Sequence, residues 1–309
     1  MESLVSVIIP TYNRADYLKL ALKSVIEQTY KNIEVIVVDD GSTDHTAEVI
    51  ASFNNSRIKY FYQENTGLPA AGRNLGLREC SGAYIAFLDS DDMWHPEKLE
   101  KQVRYLCEHP QYYLVYSNAW IIDDFELQKG LLLKSGTLKQ GKIFRKLING
   151  NFIPVMTVLM RREVFENVGF FNEDYSIRAA EDYEYWLRIA LHYKFGFIDE
   201  PLAMYRKHSG STISKANSAQ LGQKVLSLFL NNPHVPDGYK KDIVAEIHEL
   251  YYQSAWYYWS KSEKLLAKKE LKKYLSYNFR HVYLINVFKA LCFWVLFNFD
   301  YHSSKTIRK

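Results

Sequence analysis

Asp89 and Asp91 are two carboxylates one residue apart, directly after the apolar run Tyr84–Leu88. A pair of this kind at a strand end can hold a hard divalent cation and leave coordination positions for phosphate oxygens and water. The plainer reading is a turn in which Asp91 or Asp92 caps the next helix. Asp39 also closes an apolar run. It could accept a hydrogen bond from a pyrimidine N3–H, which would select uracil or thymine over cytosine, or it could cap a turn. Tyr12 could lie against a base or pack in the core. Arg14 and Arg73 offer cations either for phosphate oxygens or for surface ion pairs. Glu181-Asp182 opens a helical stretch, where an acidic pair could act as a base or simply favour the helix dipole. His208 stands beside Ser209-Gly-Ser211, as a ligand or as a loop residue.

Two common nucleotide signatures are missing. No GxGxxG follows the first apolar run, where Pro10-Thr-Tyr-Asn-Arg14 stands instead, and the chain has no GxxxxGK[ST]. A nicotinamide or flavin fingerprint and a P-loop are therefore excluded. A bound nucleotide must be held by side chains and a metal.

The elements that position these residues follow from hydrophobic period. Val5–Pro10, Ile33–Val38, Ile58–Tyr62 and Tyr84–Leu88 read as strands, and helices are expected over Ala15–Gln28, from Thr43-Asp44 to Phe53, over Pro69–Glu79 and after Pro96. This alternation predicts an α/β domain with a doubly wound, mostly parallel sheet flanked by helices. In such sheets ligands bind beyond the carboxyl ends of the strands. Thr11 to Arg14, Asp39-Asp40 and Asp89 to Asp92 all fall at those ends, so remote stretches are expected to share one crevice. Beyond Tyr116 the pattern loosens: Val155–Met160 and Phe195–Ile198 read as strands, and Asp182–Leu191 as a helix.

Six stretches in order carry a resemblance: Val5–Arg14, Val37–Asp44, Gly72–Gly76, Phe87–Trp94, Ala180–Arg188 and Tyr205–His208. On these, about residues 3–212 resemble family 2 glycosyltransferases of the GT-A fold. The resemblance implies inverting transfer of a sugar from a nucleotide-sugar donor, a UDP-sugar, to an acceptor hydroxyl, with Mn²⁺ or Mg²⁺ on the diphosphate. It implies Asp91 as the direct metal ligand and His208 as an aid to metal or diphosphate. Asp89 would meet the ribose or a metal-bound water. Asp39 would read the uracil, Thr11 and Tyr12 would line the base pocket, and Asp182 would be the catalytic base. One departure is Gly72, where the family more often has alanine, with little consequence expected. A nucleotidyltransferase would call for a Gly-rich, Lys/Arg-bearing loop after the first strand, which is absent. A non-catalytic scaffold would not need Asp91, Asp182 and His208 together.

Two domains are expected: a catalytic domain over residues 1–215 and a helical region over 216–309, in which Asp242–Trp259 and Glu263–Tyr277 form a helical hairpin. Residues 260–309 carry eleven Lys/Arg against three Asp/Glu, a net +8, so the first 259 residues carry −4. Nucleic acid is not indicated by an overall charge of +4. The basic end suggests a partner of its own. For the apolar segment Val282–Phe299, core packing, contact with an anionic membrane surface and spanning all stay open; Lys289 near its middle argues against spanning. Three separated cysteines and the absence of a signal-like leader lead to the expectation of a cytoplasmic protein, with membrane contact at that face through residues 260–309. The acceptor would be a surface glycan or a lipid-linked oligosaccharide.

Overall fold

A computed structural model describes residues 3–134, 139–208 and 217–276. The chain forms two compact units, Met1–Ser214 and Lys215–Lys309.

Among the described residues the first unit holds nine strands in one sheet: β1 (Val5–Thr11), β2 (Ile33–Asp39), β3 (Ile58–Tyr62), β4 (Tyr84–Phe87), β5 (Met93–Trp94), β6 (Leu114–Ile122), β7 (Gln128–Leu131), β8 (Leu159–Arg161) and β9 (Phe195–Arg206). The order is β3-β2-β1-β4-β8-β6-β9-β5, with β7 paired to β6. Strands β3, β2, β1 and β4 are mutually parallel. Strand β8 enters antiparallel to both β4 and β6, while β9 runs parallel to β6. The parallel half is the part with regular strand–helix alternation. Its register pairs Thr11 with Asp39 and Ile8 with Phe87, so the chain leaves β1, β2 and β4 at the same edge.

Strands β1 and β2 are buried on both faces, which is why their sequences are continuous apolar runs rather than alternating ones. Helix α1 (Ala15–Ile26) turns Leu18, Ala21, Leu22 and Val25 onto Val5, Val7 and Ile9. Helix α2 (Thr46–Ser52) starts where Asp44 accepts the Thr46 N–H, and the other Asp44 oxygen accepts the Ala15 N–H at the head of α1. Helix α3 (Pro69–Glu79) packs closer: a Cβ on Gly76 would stand 2.4 Å from Ile8 Cγ2, and one on Gly72 would stand 3.0 Å from Pro10 Cβ. Glycine at 72 therefore lets α3 lie tight against the end of β1.

Helices α4 (Lys98–Glu108), α5 (Phe144–Ile148), α6 (Arg162–Val168) and α7 (Glu181–His192) complete the first unit. Two sequence expectations change. Val155–Met160 is a 3₁₀ turn over Val155–Thr157 followed by β8, because Pro154 O accepts both the Thr157 N–H and its hydroxyl. Phe195–Ile198 is only the start of β9, which runs on through Asp199-Glu200-Pro201 to Arg206; the irregular register opposite Ser117–Ala119 absorbs that polar interruption.

The second unit contains α8 (Ser218–Leu230), α9 (Asp237–Ser260) and α10 (Lys264–Leu275). The Asn217 side chain caps α8 by accepting the Gln220 N–H and also donates to Ser254 Oγ on α9. Ala255, Ala267, Leu271 and Tyr274 form its core, with the His248 ring stacked on Tyr274. No helix among the described residues is long and apolar enough to cross a membrane. The segment Val282–Phe299 lies outside the described residues.

Candidate active site

A cavity of about 270 Å³ opens at the carboxyl edge of the parallel strands. Thr11, Tyr12 and Arg14 reach it from the end of β1, Asp40 from β2, and Asp89 to Asp92 from β4. Gly72 and Arg73 line it from α3, and Glu181 and Asp182 from the start of α7. The catalytic and metal candidates Asp182 and Asp91 thus share one cavity, as do Thr11, Tyr12, Arg14, Arg73 and Asp89.

Asp39 and His208 do not line it. The Asp39 carboxylate is buried behind the wall, where its oxygens accept from the Ser42 N–H and the Tyr60 hydroxyl. Its neighbour Asp40 faces the cavity instead and accepts from Gln63, Thr66 and the Gly67 N–H. Asp39 is the last residue of β2 and Asp40 the first beyond it, and the two carboxylates take different partners. His208 meets the site through Asp91, its Nε2 lying 2.9 Å from Asp91 Oδ2.

Arg73 organises the floor. One guanidinium nitrogen donates to Asp89 Oδ1 and another to Glu181 Oε1, each at 2.7 Å, and the group lies over the Phe171 ring. Burial would depress its pKa, but the charges of Asp89 and Glu181 outweigh burial and raise it. Arg73 is fixed as a cation spent on two carboxylates rather than held free for a ligand. Asp182 follows directly. Its Oδ1 accepts from the Tyr183 N–H and its Oδ2 from the Asn151 amide. Burial, with the Glu181 charge beside it, pushes its pKa up to about 7.

The Asp89–Asp92 loop is rich in negative charge. Burial raises the pKa of Asp89, aided by the Asp91 charge, and raises that of Asp92 well above the usual carboxylate range, aided by Asp91 and Asp89. The Asp91 carboxylate and the His208 imidazole offer one oxygen and one nitrogen of the kinds that a Mg²⁺ or Mn²⁺ ion accepts. Among the described residues no group of three or more His, Cys, Asp or Glu side chains is placed to hold a metal by itself. Two protein ligands suit a cation that takes its remaining ligands from a phosphate-bearing substrate and water. Four buried polar atoms on residues that line the cavity have no hydrogen-bond partner: Thr11 Oγ1, Arg73 Nε, Arg178 Nε and Glu181 Oε2. Buried polar groups are almost always paired, so these fit a site that a polar ligand completes.

Sequence reasoning put Asp40 at the crevice without giving it a role of its own, and it did not single out Asn151, Arg178 or the linkage of Arg73 to Glu181. Arg178 and Ala179 line the cavity just before Glu181, and Ala179 has a φ of 71°. Left-handed backbone at a residue other than glycine is uncommon and gathers at functional sites, but nothing in the residue types announces it.

Residues 6–169 match the family model Glycosyl transferase family 2. An uncharacterized glycosyltransferase of Rickettsia conorii is 35% identical over 76% of this chain and 38% of its own length. This chain therefore spans well under half of that relative. The Escherichia coli UDP-Glc:alpha-D-GlcNAc-diphosphoundecaprenol beta-1,3-glucosyltransferase WfaP is 37% identical over 60% of this chain and 70% of its own length. Among solved structures, Staphylococcus aureus TarS 1–349 in complex with UDP-GlcNAc matches with a TM-score of 0.67 at 22% identity, covering 87% of this chain and 78% of that one. The mannosyltransferase PcManGT of Pyrobaculum calidifontis in complex with GDP-Man and Mn²⁺ matches at 0.62 and 19% identity, covering 96% and 83%. At these identities the two structures establish the fold, which is of the GT-A type.

Proposed function

This chain belongs to glycosyl transferase family 2, and from that premise we propose that it moves a sugar, with inversion, from a UDP-sugar to a hydroxyl of a lipid-linked or surface glycan. The observation that carries the reading is the meeting of Asp182 with Asp89, Asp91 and Thr11 in one cavity. A transferase of this type needs one carboxylate facing the acceptor, since a metal stabilises the leaving diphosphate. A glycosidase needs two carboxyl groups across the scissile bond. Binding of UDP-Glc is in the name of the WfaP relative, and UDP-GlcNAc is bound in the TarS structure. Both support a uridine donor. The diphosphoundecaprenol acceptor in the name of WfaP supports a lipid-linked acceptor here.

The work of each residue follows from its setting. Thr11 and Tyr12 hold the base at the end of β1. Asp91 and His208 hold Mn²⁺ or Mg²⁺, which when bound offsets the negative charge that builds on the diphosphate. Arg14 adds a cation at the phosphates. Arg73 keeps Asp89 and Glu181 in place and thereby sets the start of α7. Asp182 takes the proton from the acceptor hydroxyl as it attacks the face of the sugar opposite the diphosphate, a contribution worth about 10²–10⁴-fold.

The test is a panel of UDP-, dTDP- and GDP-sugars incubated with Mn²⁺, scored for release of the nucleoside diphosphate and for transfer to undecaprenyl-diphosphate-linked sugars. UDP release with one of the UDP-sugars, dependent on metal, is expected. Pyrophosphate release, or no turnover of any donor, would sink the reading.

A further inference from the structure

Arg206 belongs to the Tyr205–His208 stretch, and the chemistry above gives it no task. It is 1% exposed, and its contacts run in three directions. Its backbone N–H donates to Asp92 Oδ1 at 2.8 Å, and its Nε donates to the backbone carbonyl of Asp91 at 3.0 Å. Its Nη1 donates to the Asp123 carbonyl at 3.0 Å, in the turn between β6 and β7, where Glu126 stands 3.6 Å from Nη2. The guanidinium lies 5.2 Å over the Tyr17 ring, which in turn sits 5.2 Å from the His208 ring. The Tyr17 hydroxyl donates to Asp124 in that same turn.

We propose that Arg206 is a positioning residue that sets the Asp91–His208 pair before the donor arrives; this rests on the metal-dependent reading above. Asp91 and His208 are 117 residues apart and meet at 2.9 Å. Two side chains from separate segments keep such a geometry only if both backbones are held. Arg206 grips the Asp91 peptide with its side chain, while its own peptide, two residues before His208, is held by Asp92. Tyr17 fills the space between the guanidinium and the imidazole. The two carbonyls are met by different nitrogens of one rigid plane, Nε and Nη1, an arrangement that the single nitrogen of lysine does not reproduce.

The experiment is Mn²⁺ titration of the full chain in the presence of UDP, followed by calorimetry or the Mn²⁺ paramagnetic signal, with metal-free UDP binding and thermal unfolding measured alongside. Arg206→Lys should weaken Mn²⁺ at least tenfold, the scale for losing an outer partner of a metal ligand, while metal-free UDP affinity stays within about twofold. Mn²⁺ affinity unchanged in a folded Arg206→Lys would overturn the proposal. Should Arg206→Lys not fold, the half-buried Tyr17→Leu carries the same expectation of weakened Mn²⁺, and an unchanged value there would be equally fatal. A wild type whose UDP binding ignores Mn²⁺ would remove the functional reading and this proposal together.

Discussion

Asp182 is the residue on which turnover should hinge. A carboxyl whose pKa is pushed up to about 7 by burial and by Glu181 is half ionised near neutrality, where a general base is most useful. The sign is fixed by the role: a base works only when deprotonated. The rate should therefore fall about tenfold per pH unit below about 7 and level off above it. Glu181→Gln removes the neighbouring charge and should move that acid limb to lower pH, whereas an unmoved limb would detach it from Asp182. Asp182→Asn should cut kcat by about 10²–10⁴-fold with donor affinity nearly intact; weakened affinity with normal turnover would refute the assignment. Asp91→Ala should abolish the Mn²⁺ dependence of UDP binding, as measured by titration. At this scale the sequence was readable where chemistry shows in local spacing, as in Asp89-Ser-Asp91 and Glu181-Asp182. It was not readable where a contact spans the fold. Arg73 reaches Glu181 across 108 residues, and no period encodes that. The placing of Asp39 behind the cavity and Asp40 beside it depends on the contacts that Ser42 and Tyr60 make with Asp39, which local spacing does not encode.

Elements hold these residues through a few buried contacts that can be tested. Glu34 on β2 accepts from Ser6 on β1, from Lys59 on β3, and from the Ser81 N–H and hydroxyl just before β4. One carboxylate thus ties four parallel segments below the site. Burial alone would raise its pKa, but Lys59 and the serine hydrogen bonds outweigh burial and lower it from 4.5 to about 2. A depressed carboxylate stabilises the fold above its unfolded pKa, and that stability is lost as pH falls through the folded value. Its contribution at neutral pH is at most about 3 kcal/mol, less what solvent screening at the half-exposed Lys59 removes. Glu34→Gln should flatten the acid side of the stability–pH curve between about 4.5 and 2, read by denaturant unfolding; a curve still as steep would show that other groups govern it. Helix α3 offers a second test. With a Gly76 Cβ only 2.4 Å from Ile8, Gly76→Ala should lower stability by about 1–3 kcal/mol through overpacking and disturb Arg73 one turn earlier; an unchanged melting temperature would contradict that packing. These elements were legible because parallel strands buried on both faces give plain apolar runs. Strand β9 was not, since Asp199-Glu200-Pro201 breaks its apolar pattern although backbone pairing with β6 continues past it.

Over the whole molecule the charges are segregated, −4 in residues 1–259 and +8 in residues 260–309. If the acceptor is lipid-linked, this basic end is suited to hold the enzyme at an anionic surface, where each Lys or Arg near the headgroups adds about 1 kcal/mol. Helix α10 already carries Lys264, Lys268, Lys269, Lys272 and Lys273, and its Leu265 is 82% exposed. A chain ending at Ser276 keeps those lysines but loses the apolar stretch 282–299. It also loses five of the eleven basic residues (Arg280, Lys289, Lys305, Arg308 and Lys309), so the two contributions separate by their response to salt in a flotation assay with phosphatidylglycerol vesicles. The full chain should float at physiological salt, and the shortened chain should float less. At about 1 M salt, where charge interactions are screened to about 3 Å, the shortened chain should be released completely and the full chain only in part. Release of both to the same extent would assign the contact to charge alone. If both stay at the bottom of the gradient at low salt, residues 260–309 have no membrane role, and the acceptor must come to the enzyme from solution.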